Sequence, residues 1–187
     1  NAIKNEELEL EIKKRQGQEL KASSEKLTFD AEDKIRKVRL LEELDRNLEG
    51  FSQSVKFVVK EGKKGNLEGI IDPISKLLRV PPEYNVAIET ALGASLQHIV
   101  VESEKDAKSA ILALKSKNMG RATFLPISTI KGFAIDDIEL ENSKGFIGIA
   151  SNICNFEEKY SGVLKYLLGR VIISDTLDNA TNIAKKV

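Results

Sequence analysis

Tryptophan is absent from this 187-residue chain, and cysteine, histidine and methionine occur once each. A single cysteine, Cys154, excludes an internal disulfide framework and fits a reducing compartment. Its apolar setting, Asn152-Ile153-Cys154-Asn155-Phe156, predicts a buried, inert thiol. One histidine and one cysteine cannot furnish a His/Cys metal site. His98 opens an apolar strand and reads as a packed or surface histidine rather than a catalytic base. There is no signal peptide and no apolar run of about 18 residues, so no membrane span is predicted and a soluble, cytoplasmic chain is expected.

Charge of either sign is not in excess, since 29 Lys/Arg balance 29 Asp/Glu. Residues 1–49 carry 11 Lys/Arg against 13 Asp/Glu, and residues 50–187 carry 18 against 16. Neither part has the basic surplus of a dedicated nucleic-acid binder. Phosphate loops are missing too: Gly62-Lys63-Lys64-Gly65 lacks the spacing and the Ser/Thr of GxxxxGK[ST], and no GxGxxG opens a helix. Asp136-Asp137 sits in a polar, turn-like phrase and reads as solvated. No catalytic, cofactor-binding or metal-binding residues are assigned, and an enzyme with an unrecognised pocket has no supporting constellation.

Proline is absent from residues 1–49, where only Gly17 interrupts a run of good helix formers. With Ile3 at heptad position a, the a series runs Ile3, Leu10, Gly17, Ser24, Ala31, Val38, Asp45. The d series runs Glu6, Lys13, Leu20, Leu27, Lys34, Leu41, Leu48. The seam is cleanest at Leu20, Leu27, Val38, Leu41 and Leu48, which predicts an interrupted coiled-coil helix over residues 1–49. A surface helix folded back on the rest of the chain, or a solvated linker, are the alternatives.

Residues 50–187 hold enough apolar sequence for a core of their own. Residues 54–60 read as a strand or a short helix rich in β-branched residues, followed by a turn over 61–66. A helix is predicted in 74–78, helical spacing over 84–97 after Pro81-Pro82, and a buried strand over 98–101. A helix over 103–117 follows, capped by Ser103 with Asp106 three residues on, and a strand over 122–125 stopped by Pro126. Part of this plan recurs. Leu92-Gly93, Ile99-Val100-Val101, Ala107 and Ile111 are echoed by Leu168-Gly169, Ile172-Ile173-Ser174, Ala180 and Ala184. The glycines end helices in a left-handed or close-packed turn. The echo predicts an α/β (α+β) domain of two related subdomains, residues 50–131 and 132–187, with chance similarity as the alternative.

Two basic clusters stand out: Lys56, Lys60, Lys63 and Lys64, and then Lys115, Lys117 and Arg121. Such residues neutralise phosphates without reading sequence, and solvated loop charge is the competing reading. With 7 Phe and 3 Tyr, base stacking on single strands has little support in the sequence.

The phrases Leu48-Glu49-Gly50-Phe51, Ala87-Ile88-Glu89-Thr90-Ala91-Leu92-Gly93, Gln97-His98-Ile99-Val100-Val101, Gly120-Arg121-Ala122-Thr123-Phe124-Leu125-Pro126 and Leu167-Leu168-Gly169 resemble the hinge domain of structural maintenance of chromosomes (SMC) proteins, nearest to the bacterial chromosome-condensation type. The resemblance covers residues 50–187, with 1–49 matching the arm that enters the hinge. It implies a two-subdomain hinge that homodimerises in a nucleoid-associated chromosome condensation and segregation ATPase. It also implies an arm completed by a helix returning in the same full-length chain, and an ATPase head lying elsewhere. DNA contact at the hinge–arm junction is a further implication that the basic clusters permit; a primarily sequence-independent DNA-binding module is the alternative. The family's hinge continues past the last helix into a strand and a glycine-rich interface segment, so a dimer or a weaker self-association is expected. Family-guided interface candidates are Gly145, Gly148, Gly162 and Gly169.

Overall fold

The computed structural model describes residues 2–185, and the side chains of residues 9–185 apart from 138 and 139. Ile3 and Glu6 of the expected seam, and Val187, lie outside the described side chains. By contact the chain divides into two units, Asn1–Gly50 and Phe51–Val187.

The first unit is one helix, α1 (Ala2–Arg46). Its polar faces carry intrahelical ion pairs: Arg15–Glu19 at 3.2 Å, Lys21–Glu25 at 4.0 Å, and Asp33 with both Arg36 (3.7 Å) and Lys37 (2.7 Å). Such exposed pairs add only tenths of a kcal/mol each, so the helix rests on propensity and on whatever covers its seam. Leu20, Leu27, Val38 and Leu41 are all exposed. Two expectations change here. The helix ends at Arg46, and Leu48 lies beyond it with φ +54° and is buried, so it is not a helical seam position. Ile35 joins Leu20, Ser24, Leu27 and Ala31 along one shallow groove, where Lys34 was the heptad choice. The step 27–31–35 is a four-residue stutter, which locally unwinds a supercoil.

The second unit contains α2 (Gln53–Lys63), β1 (Ile70–Pro73), α3 (Ile74–Leu77), β2 (Leu78–Arg79), α4 (Asn85–Leu92), β3 (Ile99–Val101), α5 (Glu104–Ser116) and β4 (Phe124–Pro126). Then come α6 (Ile138–Glu141), β5 (Phe146–Ile149), α7 (Ala150–Ile153), β6 (Asn155–Phe156), α8 (Ser161–Leu168), β7 (Ile172–Ser174) and α9 (Leu177–Ala184). Residues 54–60 are helical: Ser54, Val55, Val58 and Val59 form one buried face, and this amphipathic period outweighs the β-branched composition. The helical stretch expected over 84–97 is broken, with α4 ending at Leu92 and a 3-10 segment, Gly93–Gln97, following. Pro126 is the last residue of β4 rather than its stop. At an edge of the sheet it owes no N–H to the ladder, while its carbonyl accepts from Ile130 at 3.1 Å.

The echo seen in sequence extends over two β-α-β-α-β-α repeats, 69–116 and 145–184. In the first, β1 pairs antiparallel with β3; in the second, β5 pairs antiparallel with β7, each pair carrying one irregularity after its first residue. Hydrogen bonds recur at matching places. Glu102 N–H donates to the Gly69 carbonyl (2.9 Å) as Asp175 N–H does to that of Gly145 (3.0 Å). Ile74 N–H donates to the His98 carbonyl (3.0 Å) as Ala150 N–H does to that of Val171 (2.8 Å). Gly69 and Gly145 have φ +67° and +78°, and a β-carbon on either would strike the polar side chains that begin α5 or α9. Gly93 takes the left-handed end, φ +48°, whereas Gly169 is helical and closely packed.

The repeats meet through like elements. β2 pairs antiparallel with β6, Leu78 opposite Phe156, and α4 packs on α8. One core serves both, with Ile74, Ile88, Leu92 and Val100 from the first repeat and Ala150, Leu164, Leu168 and Ile173 from the second. Cys154 is buried in it, and burial pushes its thiol pKa up. β4 adds a third strand, parallel to β3, and has no counterpart beside β7 among the described residues.

Candidate functional site

On α2 the apolar face is turned inward, so Lys56, Lys60, Lys63 and Lys64, at i, i+4, i+7 and i+8, share the opposite face. α5 packs on α2. The Ser54 hydroxyl of α2 donates to the carbonyl of Arg121, in the loop after α5, at 2.7 Å. Lys115 and Lys117 lie at the C-terminal end of α5, where the helix dipole favours cations, and the chain then turns through Asn118 (φ +53°) and Gly120 (φ +86°) to Arg121. A groove of about 550 Å³ opens there between Ile111, Leu114 and Ala122 on its apolar side and Lys115, Asn118 and Arg121 on its polar side. Two clusters some fifty residues apart in sequence thus lie on adjoining elements.

One carboxylate sits among them. Glu61 accepts from Lys64 Nζ at 2.8 Å and from Asn66 Nδ2 at 2.8 Å. The Lys64 and Asn66 hydrogen bonds, with the charges of Lys64 and Lys117, hold its carboxyl below the usual range. Lys60, Lys63, Lys115, Lys117 and Arg121 are exposed. Among these residues the exposed cations outnumber the one carboxylate, Glu61.

The interface candidates fall in two places. Gly145 and Gly148 flank the start of β5, Gly145 against Asp175 and Asn179, and Gly148 at ordinary contact with Ile153. Gly162 and Gly169 instead carry the chain's own linker. Gly132 N–H donates to the Gly162 carbonyl and Ile135 N–H to the Gly169 carbonyl, both at 2.9 Å. Side chains at these glycines would meet the backbone of Ile130 and Phe133. Among the described residues no group of His, Cys, Asp and Glu could hold a metal ion, and no helix is long and apolar enough to cross a membrane.

Residues 67–184 match the family model of the SMC proteins flexible hinge domain. The chain belongs to the SMC hinge family. This hinge is 35% identical over 191 residues to the chromosome partition protein Smc of Bacillus subtilis, covering 98% of the chain and 16% of that protein. It is 38% identical to the Smc of Desulfitobacterium hafniense, covering 86% of the chain and 14% of that protein. The hinge therefore spans about one seventh of the length of such relatives. Among solved structures it is similar to an asymmetric dimer of the Geobacillus stearothermophilus SMC hinge domain, with TM-score 0.78 and 41% identity over 82% of this chain and 62% of that one. The Pyrococcus furiosus SMC hinge aligns at TM-score 0.60 and 28% identity, over 75% of this chain and 71% of that one. The mixed helix–strand architecture with a long N-terminal helix matches these hinge structures.

What sequence reading missed is the first half of each repeat, β1-α3-β2 and β5-α7-β6, and the geometry of the lysines. A period of four and seven through Lys56–Lys60–Lys63 was available as a signal once residues 53–63 were taken as a helix.

Proposed function

We propose that this chain is the dimerising hinge of a chromosome-partition protein, with α1 as the start of its arm and the α2–α5 basic face as a sequence-independent DNA contact. The likeness to a hinge domain that forms a dimer is the observation that carries the reading. Self-association is assigned to the edge of the β5–β7 sheet, where Ile147 is exposed. The exposed seam Leu20, Leu27, Val38 and Leu41 is assigned to a returning helix of a longer chain. ATP hydrolysis, in this reading, belongs to parts of that longer protein outside these residues.

Sedimentation velocity on a longer version that includes the returning helix tests the first part: a dimer is expected, and a strict monomer at tens of micromolar overturns it. For DNA, fluorescence anisotropy with a labelled duplex should give an affinity that falls steeply with salt. Reversing Lys60, Lys63 and Lys64 to Glu should weaken it by about tenfold or more and flatten the salt slope. An unchanged affinity removes the DNA contact while leaving the dimer reading intact.

A further inference from the structure

A further basic cluster, unannounced by any motif, surrounds two exposed aromatic rings. The linker after β4 crosses α8, and the crossing brings Phe133 beside Tyr166, 33 positions later in sequence. Both rings are largely in solvent, at 65% and 62% exposure. Lys131, Lys165 and Arg170 complete the lining of a cleft of about 360 Å³ that contains no Asp or Glu. Arg170 lies over the Phe133 ring, 5.5 Å from its centroid. That stacking orients the guanidinium fork while leaving its N–H groups unused. Among the described residues none of these three cations has an ion-pair partner. The backbone beneath is tied to α8 by the two linker hydrogen bonds, so the positions that carry these side chains are set before any partner arrives. Exposed single aromatics are ordinary. Two of them framed by three unpaired cations on a rigid crossing are the composition of an interaction hot spot.

We propose that this linker–α8 cleft docks an acidic peptide segment of a partner protein, one that sets an aromatic or large apolar side chain beside its carboxylates. The ring pair takes the apolar side chain, and Arg170 with the two lysines takes the acids. Charge decides against a nucleic-acid strand. Three cations line the cleft, a small set beside the row of phosphates that a strand presents. A strand needs a run of phosphate contacts to gain affinity, whereas a short acidic segment needs only the three cations at hand. The cleft volume, near the lower end for ligand sites, suits one or two side chains.

The probe is a fluorescein-labelled peptide of about ten residues alternating Phe and Asp, titrated with the whole chain and followed by anisotropy. Its Phe/Lys counterpart and a labelled oligothymidylate of about twenty nucleotides are the other arms. The acidic peptide should bind and the basic one should not. Phe133→Ala and Arg170→Glu should each weaken binding by about tenfold or more, and Tyr166→Ala, also at an exposed position, should do the same. Lys60→Glu on α2 should leave it unchanged. The proposal is overturned if the two peptides bind alike, if the acidic peptide is indifferent to the cleft substitutions, or if those substitutions cost oligothymidylate more affinity than they cost the peptide.

Discussion

At Gly132 a β-carbon would fall on the backbone of Tyr166, and at Gly169 on the carbonyls of Phe133 and Lys165. Neither obstacle is a flexible side chain that can swing aside. Gly132→Ala and Gly169→Ala should each destabilise the hinge by about 1–3 kcal/mol, as overpacking does, seen as a lower urea midpoint with an unchanged slope. His98 makes a different prediction. Its Nδ1 is buried without a hydrogen-bond partner, and burial holds its pKa below the ordinary 6.5. The unfolded chain therefore takes up a proton near that pH before the folded one does, and stability present above the ordinary value is lost as pH falls through it. Urea midpoints at pH 7.5 and 5.5 should differ in that direction, and His98→Gln should reduce the difference; an equal or larger difference would refute the role of His98. The sequence left His98 as packed or surface at the head of an apolar strand, and its buried Nδ1 decides for packed. Nothing in the sequence announced Gly132, whose need for small size arises only when a distant helix passes beneath it.

Elements repeat more faithfully than residues. Ser103 caps α5 by accepting from Asp106 N–H at 3.3 Å, and its hydroxyl donates to the Asp106 carboxylate at 2.6 Å. Thr176 caps α9 by accepting from Asn179 N–H at 3.3 Å, while Asn179 Nδ2 donates to Asp175 at 2.8 Å. Ser103→Ala and Thr176→Ala should therefore cost similar amounts, about 0.5–2 kcal/mol each. Thermal melts of the two variants check this, and a loss confined to one of them would count against equivalence. The Ser103 cap and the Leu-Gly helix ends could be read directly, since such signals are local. The pairing of β1 with β5 as equivalents could not. Gly69-Ile70-Ile71-Asp72-Pro73 and Gly145-Phe146-Ile147-Gly148-Ile149 share little beyond a glycine and apolar character. The spacing also slips, because Gly93–Gln97 inserts residues that the second repeat lacks. α2 was ambiguous for a related reason: valine content speaks for strand, and only burial on one face decides for helix.

For the whole molecule, the shared core makes the two repeats one cooperative body, as their single compact unit indicates. Leu164 is fully buried, and Leu164→Ala should cost about 2–5 kcal/mol. Hydrogen exchange should then rise together in peptides from β1–β3 and β5–β7; protection kept in the first repeat alone would show the halves to be separable. The pairing of β2 with β6 has a consequence in time. Leu78 finds Phe156 only after 78 further residues exist. Closing so long a loop is slow compared with forming α1, a helix whose every contact is local. At about 5–20 residues per second of synthesis, the first repeat waits several seconds with Ile74, Ile88 and Leu92 lacking the second repeat's share of the core. During those seconds the nascent first repeat should expose apolar surface open to chaperones and to neighbouring chains.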